Sequence, residues 1–245
     1  MQLRVLTYDI HRAIGIDRRF RLERIVEILD YYQADLVLLQ EVDVGVPRSR
    51  SLNLAEEIAR ALDYPYFGLG LNVVLSEGWY GNATLSRFPI SRERNIDLTI
   101  EGRKRRGCLY ARIDIDPEKS LYLETFNLHL GLSFKERPQQ VGLLVRSHEF
   151  AGIDRQQPCL VGGDFNDWWT RLAPIFTEAL DFACATNHKR GYQNAFLTYP
   201  SFSPTSGLDK IFCRGKLRVL NCRSCRMRVS KVASDHLPVI VDFEF

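Results

Sequence analysis

Pro158-Cys159-Leu160-Val161-Gly162-Gly163-Asp164-Phe165-Asn166-Asp167 is an apolar run that ends in two glycines, an acid, an amide and a second acid. The apolar half has strand length and is bounded by a proline and glycines, which reads as a strand buried on both faces. Its polar end then lies at the edge of a sheet, where residues distant in sequence can meet. A second stretch of this kind is Ser234-Asp235-His236-Leu237-Pro238, placed just before the apolar run Val239-Ile240-Val241. Carboxylates gathered along one sheet edge bind a hard cation, and a histidine among them points to phosphate-ester chemistry.

Outward from these stretches the chain alternates between strand and helix patterns. Leu3 to Ile10 reads as a strand, and Gly15-Ile16-Asp17 offers a helix start before Leu22, Ile25, Val26 and Leu29 at helical spacing. Asp35-Leu36-Val37-Leu38-Leu39-Gln40 is another continuous buried strand, and Leu54, Ile58 and Leu62 mark a second helix that Tyr64-Pro65 stops. From Tyr66 to Leu130 the texture is hairpin-like: Tyr66 to Leu71, Tyr80 to Ser86, Ile90 to Leu98, Cys108 to Ile115 and Leu121 to Leu130 are separated by turn residues. Ser133-Phe134-Lys135-Glu136 has the form of a capping box before a helix carrying Val141, Leu144 and Val145. Residues 170 to 207 read as irregular, with a short helix over Ile175 to Leu180. Leu208 to Cys213, Leu217 to Asn221 and Leu237 to Phe243 complete the strands. No linker and no repeat interrupts this pattern. It predicts one domain over residues 1–245, a layered α/β sandwich with two sheets inside and helices outside.

Composition narrows the class. Apolar residues make up 45% of 245, enough for a substantial core, and 33 basic against 30 acidic residues leave a net charge of +3. That balance is too mild to imply nucleic acid by itself. No apolar run reaches membrane-spanning length, and the N-terminal apolar stretch is short and broken by Arg4. Six cysteines in a chain of this length do not resemble a disulfide scaffold, so a reduced, cytoplasmic monomer is expected. Cys222-x-x-Cys225 has no second close Cys/His pair and reads as two ordinary thiols.

Strand ends and adjoining turns carry Asp9, His11, Glu41, Asn82, His129, Asp164, Asn166, Asp209, Asp235 and His236. The segments around them closely resemble the endonuclease/exonuclease/phosphatase superfamily of metal-dependent phosphoesterases, especially its small bacterial members. They are Leu6-Thr7-Tyr8-Asp9-Ile10-His11, Leu39-Gln40-Glu41-Val42-Asp43, Gly81-Asn82-Ala83-Thr84-Leu85-Ser86-Arg87, Asn127-Leu128-His129-Leu130, Gly163-Asp164-Phe165-Asn166, Leu208-Asp209-Lys210-Ile211 and Ser234-Asp235-His236-Leu237-Pro238. They occur in the family's order across nearly the whole chain. The resemblance implies a DNase I-like four-layer α/β sandwich, two packed mixed β-sheets flanked by helices.

The resemblance also implies roles. Glu41 is the expected main ligand of Mg²⁺ or Mn²⁺, with Asp9 and Asp235 at the same ion. Asp164 is the expected general base on the attacking water, and Asn166 holds that water or a phosphate oxygen. His236 stabilises the charge that grows on phosphorus-bound oxygen, oriented by Asp209. His129 contacts the phosphate or the leaving oxygen, and Asn82 lies near the phosphate. By residue type alone, His129 reads equally as a core histidine and Asn82 as a turn residue. The family's usual residue at position 9 is Asn. Asp9 adds a charge, expected to strengthen cation binding or to favour a second metal, with His11 as a neutral ligand.

Two basic clusters remain, Arg103-Lys104-Arg105-Arg106 and Arg223, Arg226, Arg228 and Lys231. Most of these suit a solvated surface, and Arg106, at the start of a strand, is the one expected to contact phosphate. Trp168, Trp169 and the loop from Asn187 to Phe202, with Tyr192, Phe196, Tyr199 and Phe202, either pack the irregular segment or line a pocket for a base, sugar or acyl group. The expected activity is that of a phosphodiesterase, with nucleic acid, nucleotide, inositol phosphate or anionic phospholipid as substrate. The alternative is a non-catalytic metal- or anion-binding protein on the same fold.

Overall fold

The computed structural model describes residues 1–187 and 196–245. Two mixed sheets of six strands pack face to face between helices. In the first, β1 (Gln2–Asp9) lies parallel to β2 (Leu36–Val44) and antiparallel to β12 (Val239–Glu244). β4 (Trp79–Ser86) and β3 (Tyr66–Val74) extend it on one side and β11 (Arg218–Ser224) on the other. In the second, β7 (Leu121–His129) lies parallel to β8 (Cys159–Asp164). Flanking them are β6 (Gly107–Asp116) and β5 (Ile90–Asp97) on one side, and β10 (Asp209–Arg214) and β9 (Ala183–Cys184) on the other. The two sheets follow the same plan, one parallel pair bordered by antiparallel strands.

Strand periodicity explains the four layers. Val37 and Leu39 face the helices α1 (Leu22–Tyr32) and α2 (Leu54–Ala61), whereas Leu36 and Leu38 face the other sheet. A strand with apolar residues at every position is what burial on both faces requires. A third core covers the outer face of the second sheet, where Phe126, Phe165, Phe176 and Phe212 pack beside α3 (Glu136–Arg146) and α4 (His148–Ala151). The last helix, α5 (Ser230–Ala233), leads into β12.

The inter-sheet layer changes character along the strands. Leu3 and Val5 of β1 are apolar and face the second sheet, and the next residues in the same alternation are Thr7 and Asp9. Leu36 and Leu38 of β2 are followed by Gln40, and Leu123 of β7 by Thr125, Asn127 and His129. Where apolar packing stops, a buried amide network begins. Gln40 Nε2 donates to Asn127 Oδ1 at 2.7 Å, and Asn127 Nδ2 donates to the carbonyls of Leu39 and Ala83 across the sheets. This network is the floor on which the strand-end acids stand.

Several local expectations differ from the structure. The helix after β1 begins at Leu22 rather than near Asp17, because residues 11–13 form a 3₁₀ turn and Ile14 bridges Phe20. The capping box is not formed: Ser133 Oγ accepts from Lys135 N at 3.3 Å, and Glu136 turns under to accept from Gln140 Nε2 at 2.9 Å. The hairpin-like texture from Tyr66 to Leu130 divides between the two sheets, with the chain crossing from one to the other between β4 and β5. The short helix over Ile175–Ala179 is a π-turn. Cys222 packs against the inter-sheet core and Cys225 into the helix-side core, on opposite faces of the first sheet, so the two thiols share no site. No helix among the described residues is long and apolar enough to cross a membrane.

Candidate active site

Register places the acids. His129 pairs with Asp164 across the parallel pair β7 and β8, and Asp209 pairs with Asp164 across β8 and β10. In the other sheet Asp9 pairs with Gln40, one residue before Glu41. Glu41 sits in a β-bulge, where the register with β4 shifts between Leu39 and Val42. Its φ of +56° is one that a non-glycine residue adopts only when the surroundings enforce it. The bulge turns the Glu41 carboxylate out of the strand's alternation and into the cleft.

Asp235 and His236 arrive from a loop tied down on β1. Ser234 Oγ donates to the Asp9 carbonyl at 2.7 Å and accepts from His236 N at 3.1 Å. One cleft of about 200 Å³ is lined by Asp9, Glu41, His129, Asp164, Asn166, Asp235 and His236, with Lys104 and Arg106 on its wall. A cavity of about 720 Å³ on the outer face of the second sheet is larger. There Arg112 pairs with Glu124 and Arg94 with Glu149, whereas the converging strand-end acids and histidines lie in the smaller cleft.

Within the cleft each side chain has a defined partner. His236 Nδ1 donates to Asp209 Oδ2 at 2.8 Å, and both groups are buried. Burial alone would depress the histidine, but the Asp209 charge and hydrogen bond outweigh it and hold the imidazolium well above its ordinary pKa. Asp164 accepts from Asn166 N and from Asn166 Nδ2, each at 2.8 Å. Asn166 holds a left-handed φ of +50°, a conformation that Asn tolerates well, and this lets backbone and side chain reach one carboxylate. Burial pushes Asp164 up to about 7, against the pull of the His236 charge and with the Asp209 charge adding to the rise. His129 lies between the sheets, Nε2 at 3.4 Å from Asp164 and Nδ1 at 3.8 Å from Asp9. Burial and the Arg106 charge hold it well below its ordinary pKa, as a neutral imidazole.

Asp9 is buried and pushed well above the carboxylate range, by burial first and then by the Glu41 charge, with Asp164 and Asp235 adding to it. Several carboxylates crowded out of water favour a cation among them. Among the described residues, two tight sets have ligand atoms within 4.8 Å of one another: Asp9 with His129 and Asp164, and Asp164 with Asp209 and His236. In the second set the His236 nitrogen facing Asp209 already carries a proton. A buried Glu41 oxygen, Oε2, has no hydrogen-bond partner, as a metal ligand's free lone pair would. These donors fit a hard divalent ion.

Not every expected residue lies on the cleft wall. Asp209 stands behind His236. Asn82 is beneath the floor, its amide donating to the carbonyls of Asn127 and Gly107 at 3.1 and 3.3 Å. His11 does not offer a free nitrogen to a metal: Nδ1 donates to the Ile14 carbonyl at 2.8 Å and Nε2 accepts from the Arg12 guanidinium. Arg106 is 6% exposed, and its Nε has no partner. The second basic cluster is elsewhere, with Arg223 paired to Asp242 at 2.6 Å. Trp168 and Tyr199 line the cleft, and Tyr199 packs 5.0 Å from the His236 ring with Trp168 edge-on to it at 5.2 Å. Trp169 and Phe202 are exposed, and Tyr192 lies outside the described residues.

Sequence reasoning passed over Arg12 and Lys210 and left Lys104 within a basic cluster read mostly as solvated surface. Arg12 approaches Glu41, Nε to Oε2 at 3.4 Å. Lys104 faces the cleft, where burial and the Arg106 charge lower its pKa. Lys210 is buried beneath the acids, donating to the Gly207 carbonyl at 2.8 Å. Lys210 was open to detection, because a lysine between Asp209 and Ile211 in a buried strand must find partners.

Comparison with known proteins agrees with this arrangement. Residues 7–236 match the model of the Endonuclease/Exonuclease/phosphatase family. The chain is 31% identical to "Uncharacterized protein YbhP" of Escherichia coli K12, over 96% of this chain and 94% of that protein. Among solved structures it is similar to an endonuclease/exonuclease/phosphatase of Beutenbergia cavernae, with a TM-score of 0.77 at 20% identity, covering 100% of this chain and 72% of the other. It is also similar to a mannosyl-6-phosphatase of Bacteroides thetaiotaomicron, with a TM-score of 0.73 at 19% identity over 99% of this chain and 100% of the other. Likeness to ANGEL2, a 2′,3′-cyclic phosphatase, has a TM-score of 0.77 at 14% identity over 99% of this chain and 95% of the other. With its strand-end acids converging on one cleft between paired sheets, the chain belongs to the endonuclease/exonuclease/phosphatase family of hydrolytic phosphoesterases, which includes both nucleases and phosphatases.

Proposed function

We propose that this protein is a divalent-cation-dependent phosphodiesterase that hydrolyses its substrate by in-line attack of water. The observation that carries the reading is the pairing of opposites in one cleft. Asp164 is a carboxylate poised near neutrality, and His236 is held as an imidazolium by Asp209. Environments that push two groups' pKa values toward opposite roles mark a base and an electrophile.

Glu41, Asp9 and Asp235 would hold Mg²⁺ or Mn²⁺, which when bound polarises a phosphoryl oxygen and neutralises charge. The chain's own groups do the rest. Asp164, fixed by two hydrogen bonds from Asn166, orients the water and takes one of its protons. The bond from the water oxygen to phosphorus forms as the bond to the leaving oxygen breaks, and the leaving alkoxide takes a proton from solvent. His236 donates to a non-bridging oxygen as negative charge grows there. His129, neutral and between Asp9 and Asp164, contacts the phosphate or the leaving oxygen. Arg106 and Lys104 attract the anion from the wall. Asn82 supports the floor from below.

Hydrolysis of bis-p-nitrophenyl phosphate with Mn²⁺, with and without EDTA, tests the reading. Activity abolished by EDTA and reduced at least a hundredfold in Asp164→Asn is expected, on the scale of a lost general base. Equal rates in the variant would refute the role of Asp164. A panel of DNA, RNA, nucleotides, inositol phosphates and phospholipids then ranks the substrates, with nucleic acid and anionic lipid both compatible with the basic wall.

A further inference from the structure

Residues His11, Arg12 and Ala13 hold φ values of +45°, +60° and +56°, three left-handed residues in succession. None is glycine, so the turn is held by its surroundings. His11 N donates to Asp9 Oδ1 at 2.9 Å, which anchors the turn to the end of β1. His11 Nδ1 donates to the Ile14 carbonyl, and its Nε2 accepts from the Arg12 guanidinium. The histidine therefore acts as a bracket that holds Arg12 beside Glu41, a residue of the cleft wall.

The meeting of Arg12 and Glu41 is close and incomplete. Arg12 Nε is 3.4 Å from Glu41 Oε2, near enough for charge pairing, yet both atoms are buried without a hydrogen-bond partner. The two side chains are half-buried, 25% and 17% exposed, and each keeps one buried atom unsatisfied, so the pair is suited to partners other than each other. Glu41 Oε2 offers a lone pair to a cation. The Arg12 guanidinium offers planar donors to a phosphate oxygen.

We propose that Arg12 couples the two binding events at this site: it neutralises Glu41 until a divalent cation takes that carboxylate, and it then holds a non-bridging oxygen of the phosphate ester. The inference rests on the hydrolase reading above and adds an order to it. Cation and substrate each supply what the other displaces, so each favours the other, and linkage makes this coupling reciprocal. A cation alone competes with the guanidinium for Glu41. A phosphate alone must draw Arg12 from its acid.

Calorimetric titration of Mn²⁺ and of inorganic phosphate into wild type, Arg12→Asn and Arg12→Lys tests the coupling. Asn keeps the left-handed backbone and removes the charge, and Lys keeps the charge. Arg12→Asn is expected to bind Mn²⁺ alone about tenfold more tightly than wild type, because a like charge a few ångströms away is gone. The same variant is expected to bind phosphate in the presence of Mn²⁺ at least tenfold more weakly, for loss of a charge-assisted hydrogen bond. Arg12→Lys keeps Mn²⁺ affinity near wild type. A residue with a merely structural role would weaken both ligands together. Mn²⁺ binding that is unchanged or weaker in Arg12→Asn, tighter in Arg12→Lys as well, or phosphate binding unchanged in Arg12→Asn, overturns the inference. A wild-type protein that binds no Mn²⁺ overturns the hydrolase reading itself, and the coupling with it.

Discussion

Replacing Asp209 by Asn removes one charge and almost no volume from behind His236. The carboxylate is buried and accepts from Nδ1 at 2.8 Å, and Asn can still accept that bond through its own oxygen. Orientation of the ring is kept and the charge that favours the imidazolium is lost. A hydrogen bond to a charged group contributes about 1.5–3 kcal/mol. At about 1.4 kcal/mol per tenfold, kcat at neutral pH should fall roughly 10- to 100-fold with little change in KM. The pH profile is the sharper readout. Asp209 raises His236 and also raises Asp164. Without its charge, burial draws the histidine down and Asp164 falls too, so both limbs of the bell move to lower pH. The stability linkage has the same origin. The raised His236 pKa contributes stability fully present below its unfolded value of about 6.5 and lost as pH rises through the folded value. Asp209→Asn should therefore lose more stability at pH 6 than at pH 9, read by urea unfolding. Because Asp209 acts through His236, Asp209→Asn combined with His236→Asn should cost little more activity than His236→Asn alone. An unshifted pH profile, or fully additive losses in the double variant, would refute the positioning role.

Three further outcomes are expected. Asp9→Asn should bind Mn²⁺ about tenfold more weakly in calorimetry, and should release fewer protons on binding, since burial and the Glu41 charge raise the Asp9 carboxyl and a bound cation reverses that rise. Equal affinity, stoichiometry and proton release would remove Asp9 from the ion. Arg106→Met, which keeps the buried stem and deletes the charge, should raise KM about tenfold or more with an unchanged melting temperature, and an unchanged KM would take Arg106 out of the substrate site. Asn127→Ala should destabilise the fold by about 2–4 kcal/mol in urea, because Gln40 and two buried carbonyls lose their partner, and a cost below 1 kcal/mol would contradict the network's role.

How much was legible follows from where each signal resides. Buried strands such as 36–39 and 159–161 announce themselves because burial on both faces leaves no polar position. Asp164, Asn166, Asp209 and His236 sit in short motifs whose spacing survives in one dimension. Asn82 sits in such a motif too, but a polar residue in a strand looks the same whether it faces substrate or ties two sheets from beneath. His11 is not legible for a related reason: its nitrogens are consumed by Ile14 and Arg12, and those bonds depend on a left-handed turn that periodicity does not encode. The same turn hid Arg12. The capping box at Ser133 failed because Glu136 found buried partners more favourable than a solvent-exposed helix start.

The sequence by itself determined the layers, since alternation and strand length are local, and it determined which acids end which strands. Tertiary structure alone decided which of those ends face one another. Two sheets that stack with their parallel pairs at the centre bring Asp9 and Glu41 from one sheet against His129 and Asp164 from the other, over an amide floor that spans both. It also decided the charges. A carboxylate near 7 and a stabilised imidazolium are properties of burial and of neighbours, and neighbours distant in sequence exist only once the chain has folded.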